Sequence, residues 1–132
     1  MSRLPAESCP CGRPLTYSDC CGRFHTGTPA PDAESLMRSR YVAYVRGLED
    51  YLRATWHPTT RPVALHLNDS PLPKWLGLEV RAHHAAEQAS GSTATVEFVA
   101  RCRVGGRGQR LHEISRFVCE DGCWYYVDGD VG

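Results

Sequence analysis

The sequence has no surplus of charge: 15 Lys and Arg stand against 15 Asp and Glu in 132 residues. A general nucleic-acid coat needs surplus cations to displace counterions, so no general nucleic-acid binding is expected. Long apolar runs are missing too. None approaches the ~18–20 residues that span a bilayer, so no membrane role is expected. The segment Met1 to Glu7 has no apolar h-region and runs into cysteines and polar residues, unlike a signal peptide. The expected location is therefore the reducing cytoplasm, where cysteines more often bind metal or do redox chemistry than form disulfides. Internal repeats and low-complexity tracts are absent. The remainder is ordinary globular composition, 42% hydrophobic, at a length that suits one domain.

What is abundant is cysteine: seven in all, an odd number that argues against a complete disulfide framework. Cys9, Cys11, Cys20 and Cys21 cluster near the N-terminus with the spacing C-x-C-x8-C-C. Four soft thiolates at this spacing suit tetrahedral zinc. Pro10 and Gly12 predict a turn around the first pair. The second pair is expected at the end of a single helical turn, capped by Thr16 or Ser18 and stopped by Gly22. Adjacent cysteines at a helix end point about 100° apart, so one ion can reach both. The competing readings are free structural thiols and a thiol redox pair. Four thiols this near a terminus do not readily bury, and no C-x-x-C follows a strand. Four protein ligands leave no open position, so the site reads as structural, with the ion supplying most of the module's folding free energy. His25 is a possible substitute ligand.

Residues 1–26 are expected to form this zinc-binding module, residues 27–31 a linker, and residues 32–132 the main domain. A helix begins after Asp32, a plausible N-cap. Leu36, Met37, Tyr41, Tyr44, Val45 and Leu48 form an apolar stripe, with Arg38, Ser39 and Arg46 opposite. Gly47 breaks it, and residues 48–56 continue as a short helix ended by His57-Pro58. Pro58, Pro62, Pro71 and Pro73 make 58–73 a loop, with a short helical turn near Val63–Leu67. Strands are predicted over Lys74–His84, Thr93–Arg103, Gln109–Glu120 and Cys123–Asp128. Residues 105–108 and Asp121-Gly122 are the hairpin connections. In the second strand Ala94, Val96, Phe98, Ala100 and Cys102 face one way, and Thr95, Glu97, Val99, Arg101 and Arg103 the other. Helices followed by an antiparallel meander is an α+β pattern, with helices on one sheet face.

Cys9-Pro10-Cys11-Gly12 with Cys20-Cys21-Gly22 resembles the SEC-C motif, the zinc module at the C-terminus of the SecA translocation ATPase. There the last ligand is often His; here Cys21 takes that place. The rest of the chain resembles the YchJ family. The matching stretches are Met37 to Tyr41, Tyr51-Leu52, Thr55 to Pro58, Trp75 to Leu78, Val96 to Ala100, His112 to Phe117 and Trp124 to Gly129. The resemblance implies an NTF2-like cone of helices packed on a curved antiparallel sheet, with a cavity. Some family members carry a second SEC-C copy; this sequence reads as holding one. By analogy with SecA, the module implies a protein or ribosome partner, and Arg3, Arg13 and Arg23 are the expected solvent-facing contacts.

Within the main domain, Arg40 lies inside the apolar stripe, so its guanidinium needs partners. Glu97, Glu113 and Asp128 are candidates, giving either a structural ion pair or a polar-ligand site. His57 reads as a cavity acid–base group or a cap on helix carbonyls. His112 and Arg116 share one strand face, Glu113 and Ser115 the other. Arg40, His57, Glu97 and His112 are thus the cavity candidates for a small-molecule binder or enzyme, the rival to a non-catalytic docking protein. No Ser-His-Asp set can be assembled. Trp56, Trp75, Trp124 and Phe98 read as core. Cys119 and Cys123 should point to opposite faces across the Asp121-Gly122 turn, with Cys102 able to approach one of them; core thiol is the default for all three. His83 and His84 point opposite ways at a strand end and should not chelate together. Redox release of zinc from the first four cysteines is a third reading.

Overall fold

The computed structural model describes residues 8–67, 72–88 and 91–132. Arg3 and Pro71 lie outside the described residues. The described elements run in order: a 3₁₀ turn Tyr17–Asp19, helices α1 (Cys21–His25), α2 (Ala33–Arg46) and α3 (Glu49–Ala54), then strands β1 (Lys74–Gln88), β2 (Gly91–Val104), β3 (Arg107–Glu120) and β4 (Cys123–Val131). The strands form one antiparallel sheet in the order β1-β2-β3-β4, with the helices packed against it, an α+β fold.

The boundaries of α2 follow from local chemistry. The Asp32 carboxylate accepts the Ser35 amide at 2.8 Å, capping the first turn. Gly47 ends the helix at φ 73°, where its N–H and that of Leu48 both reach the Ala43 carbonyl. The hairpins turn on residue pairs with positive φ, Gly105-Gly106 and Asp121-Gly122, as two-residue connections between twisted strands require. The first loop is therefore shorter than the sequence suggests, and Arg107 and Gly108 belong to β3. Every strand is longer than its apolar core, because the paired ends carry small and charged residues that alternation does not detect. No helix forms over Val63–Leu67.

Leu36, Met37, Tyr41 and Val42 of α2 meet Ala94, Val96, Phe98, Ala100 and Phe117 of the sheet, all buried. Of the residues opposite the stripe, only Arg46 is exposed. Ser39 is fully buried, and Arg38 is half-buried against the N-terminal knuckle. The cysteine module and α3 cover that side of α2, so the helix lies between two layers and only its ends reach water. Val45, placed in the stripe, is 37% exposed instead.

In the sheet, Cys119 pairs with Trp124 and Glu120 with Cys123, which puts the two thiols on opposite faces as parity demands. Cys102 approaches neither. It pairs with Gln109 at one end of β2, while Cys119 pairs with Ser92 at the other. His83 and His84 also sit on opposite faces, within β1 rather than at its end. No helix among the described residues is long and apolar enough to cross a membrane.

Candidate metal centre and the adjoining cavity

The thiols of Cys9, Cys11, Cys20 and Cys21 all lie within 4.8 Å of one another, and all four residues are buried. Two short backbone devices gather them. The Cys9 amide donates to the Leu15 carbonyl at 2.8 Å and the Gly12 amide to the Cys9 carbonyl at 3.2 Å, closing a knuckle around the first pair. Thr16 caps the 3₁₀ turn by accepting from the Asp19 amide. The chain then re-enters a helix at Cys21. Gly22 does not stop it. It lies in the first turn of α1 against Tyr17, where an added Cβ would sit 2.8 Å from the Tyr17 carbonyl oxygen. The glycine is there for close packing.

The donor set fits a tetrahedral thiolate metal. Zinc–sulfur bonds of ~2.3 Å imply sulfur–sulfur edges of about 3.8 Å; the Cys11 and Cys20 sulfurs are 3.7 Å apart. With four protein donors and no exposed ligand, the arrangement is closed, as structural sites are. Hydrogen bonding from Cys21, ahead of the other causes and against burial, lowers the Cys11 pKa to about 5. Burial first, then the neighbouring Cys11, raises Cys20 to about 11; hydrogen bonding to Cys11 and burial push Cys21 upward as well. The Cys11 sulfur thus accepts hydrogen bonds from neighbouring thiols that keep their protons. A coordinated cation replaces those protons, since a bound thiol is deprotonated outright.

His25 is not a substitute ligand. The Ser39 carbonyl, 2.8 Å from Nε2, can only accept, so Nε2 carries the proton. Nδ1 then accepts from the Tyr17 hydroxyl at 2.6 Å. Both nitrogens are committed, and burial, ahead of the other causes, lowers the ring's pKa. Ser39 donates to the Leu36 carbonyl and accepts from Tyr51, completing a chain from the module through α2 to α3.

A charged clasp holds the knuckle to the main layer. Arg38 donates to Glu34 at 2.9 Å and to the Cys11 carbonyl at 2.7 Å. Arg13 reaches Ser35 at 3.1 Å and Glu34 at 3.5 Å, and His83 approaches Glu34 at 3.8 Å. Arg13 is therefore a tether rather than a free contact residue, whereas Arg23 is exposed and stacks on Phe24.

A cavity of about 260 Å³ lies between α2 and the sheet, walled by Tyr41, Tyr44, Trp56, Trp75, Phe98 and Tyr126. Of the four cavity candidates, Arg40 alone lines it. Its Nη1 donates to the Leu52 carbonyl at 2.8 Å and Thr55 Oγ1 at 2.6 Å, and the guanidinium lies 5.0 Å from the Trp56 ring centre and 4.7 Å from that of Tyr126. None of the three expected carboxylates pairs with it among the described residues. Burial lowers its pKa to about 10, which leaves it charged at neutral pH. His57 neither enters the cavity nor caps helix carbonyls. Its Nδ1 accepts from the Thr59 amide, and its Nε2 faces Glu120 at 3.0 Å. Glu97 and His112 pair at 2.7 Å on the sheet face away from the helices, because the alternation that turns Phe98 inward turns both outward.

The cavity's acidic group is Glu113, opposite Phe98 in the register. Its Oε2 accepts from Ser115 at 2.5 Å and Tyr126 at 3.0 Å. Burial, ahead of the Glu113 charge, pushes the Tyr126 hydroxyl upward. The signal was available in the sequence: Glu113 and Ser115 are polar residues on the face where Phe117 is core.

The family described as "YchJ, middle NTF2-like domain" matches residues 32–129, and the SEC-C motif matches residues 6–23. A UPF0225 protein of Bordetella parapertussis is 58% identical, with 99% of each chain covered. Another from Chromobacterium violaceum is 56% identical over 92% of this chain and 91% of its own. Among solved structures, a SEC-C motif containing protein from Rhodopseudomonas palustris superposes with a TM-score of 0.81 at 37% identity, covering 94% of this chain and 98% of that one. A second, from Psychrobacter arcticus, gives a TM-score of 0.74 at 33% identity, covering 94% and 82%.

Proposed function

The chain belongs to the YchJ (UPF0225) family, and on that premise we propose that Cys9, Cys11, Cys20 and Cys21 hold one zinc ion permanently, in a module that docks the protein to a macromolecular partner. The proximity and burial of the four thiols carry this reading. We divide the chain as residues 1–26 for the zinc module and 32–132 for an NTF2-like domain whose sheet curls as a cone around the cavity. The clasp of Arg13, Arg38 and Glu34 makes the module a rigid outwork of that domain. Its exposed residues include Leu15, 44% exposed, and Arg23. An exposed apolar side chain and an exposed cation on one small module suit a protein partner or a ribosomal surface.

Metal analysis of the purified protein tests the first half: about one zinc per chain is expected. Cys20→Ser should remove it. Docking is tested with a Leu15→Glu/Arg23→Glu variant, by ribosome co-sedimentation and by pull-down from the source cytosol. Equal recovery of the same partners by wild type and variant would overturn docking through this side. A second reading, small-molecule binding in the cavity, is favoured by Arg40 and Glu113, a buried cation and an acid that both line it without an ion pair between them among the described residues.

A further inference from the structure

We propose that the cavity between α2 and the sheet binds a small, uncharged aromatic compound bearing a carboxamide-like group, one acceptor beside one donor. This rests on the second reading above and names the ligand class. At about 260 Å³ the cavity falls just below the ~300–1,000 Å³ of typical small-molecule sites, room for one ring and a short polar group. Its walls are aromatic, which suits a planar ring.

The polar groups define the rest. Arg40 is only 4% exposed, and among the described residues Nη1 alone makes its hydrogen bonds. Among the described residues the sealed polar side-chain atoms without a partner are Trp56 Nε1 and His83 Nε2. Arg40 Nε and Nη2 are not among them and make no hydrogen bond among the described residues, and the residue lines the cavity. Anchoring α3 needs only Nη1, so two strong donors are left over. Glu113 supplies the complement: Oε2 is occupied by Ser115 and Tyr126, while Oε1 makes no hydrogen bond among the described residues. The cavity thus offers donors from a guanidinium and an acceptor from a carboxylate. Those two charges cancel. A ligand carboxylate would face Glu113 and a ligand ammonium would face Arg40, each penalised where water is scarce. A carboxamide uses both without adding charge.

The test is an amide NMR titration of the zinc-loaded 132-residue chain with benzamide, benzoate, benzylamine and toluene. Benzamide is expected to give saturable shifts at Ser115, Tyr126 and the Trp75 indole, with benzoate and benzylamine about tenfold weaker. Glu113→Gln leaves the guanidinium unopposed, so the preference should invert in favour of benzoate. If Glu113→Gln does not fold, the wild-type ranking of the four probes decides. Toluene binding as tightly as benzamide would overturn the ligand class while leaving a ligand-binding cavity in place. Benzoate binding wild type more tightly than benzamide would overturn the uncharged class. No shift at cavity residues with any probe would overturn both the class and the cavity reading.

Discussion

Replacing Arg38 with Met isolates the clasp between the knuckle and α2. The methionine keeps an unbranched apolar stem and removes two charged hydrogen bonds. The bond to Glu34, 2.9 Å and four residues away on the same helix, contributes about 0.3–0.5 kcal/mol, because Glu34 is partly solvated and keeps Arg13. The bond to the Cys11 carbonyl at 2.7 Å is worth more. Cys11 is fully buried, so its carbonyl loses a charged donor, at about 1.5–3 kcal/mol. The expected loss is about 2–3 kcal/mol, read from urea unfolding of the zinc-loaded protein with an unchanged m-value. Zinc transfer to a colorimetric chelator should also accelerate, because the knuckle loses its hold on α2. Arg46→Met is the control. It removes a cation stacked 4.1 Å from the Tyr17 ring centre and should cost about 0.5–1 kcal/mol. A loss under about 0.5 kcal/mol for Arg38→Met, with unchanged zinc transfer, would refute the clasp.

Other substitutions probe neighbouring links. Gly22→Ala gains about 1 kcal/mol of helix propensity but forces a Cβ to 2.8 Å from the Tyr17 carbonyl oxygen. A net loss of about 1–2 kcal/mol is expected, and a raised melting temperature would contradict it. His25 has its pKa lowered by burial, so its contribution to stability is complete above about 6.5 and declines as pH falls. Its imidazole NMR titration should have a midpoint below that value; a midpoint at about 6.5 would mean the ring is solvated. Tyr126→Phe removes one of two donors to Glu113 and should cost about 1–2 kcal/mol in thermal unfolding, with no change in zinc content.

Much of this arrangement was legible in the sequence because it follows local rules. The C-x-C-x8-C-C spacing located the thiol cluster, Asp32 and Gly47 bounded α2, and Asp121-Gly122 marked the last hairpin. The burial of Ser39 and Arg38 was not legible. Their partners are a carbonyl and a tyrosine from other segments and a glutamate one turn back on α2, and a polar face covered by polar groups reads as a wet one. The cavity was half legible. Glu97 is expected in the cavity on residue type alone, yet the parity that turns Phe98 inward turns Glu97 outward, and the same parity, left unused, points to Glu113 and Ser115. Arg40 stood out as a cation in an apolar stripe, but its solution, carbonyl and aromatic partners in place of a carboxylate, depends on where α3 ends.

Native mass spectrometry of the purified chain, with and without denaturation, tests the central claim most directly. The expected species carries one zinc ion, lost on denaturation, and Cys20→Ser carries none. A folded chain with four free thiols and no bound metal, or with a disulfide among Cys9, Cys11, Cys20 and Cys21, would contradict it.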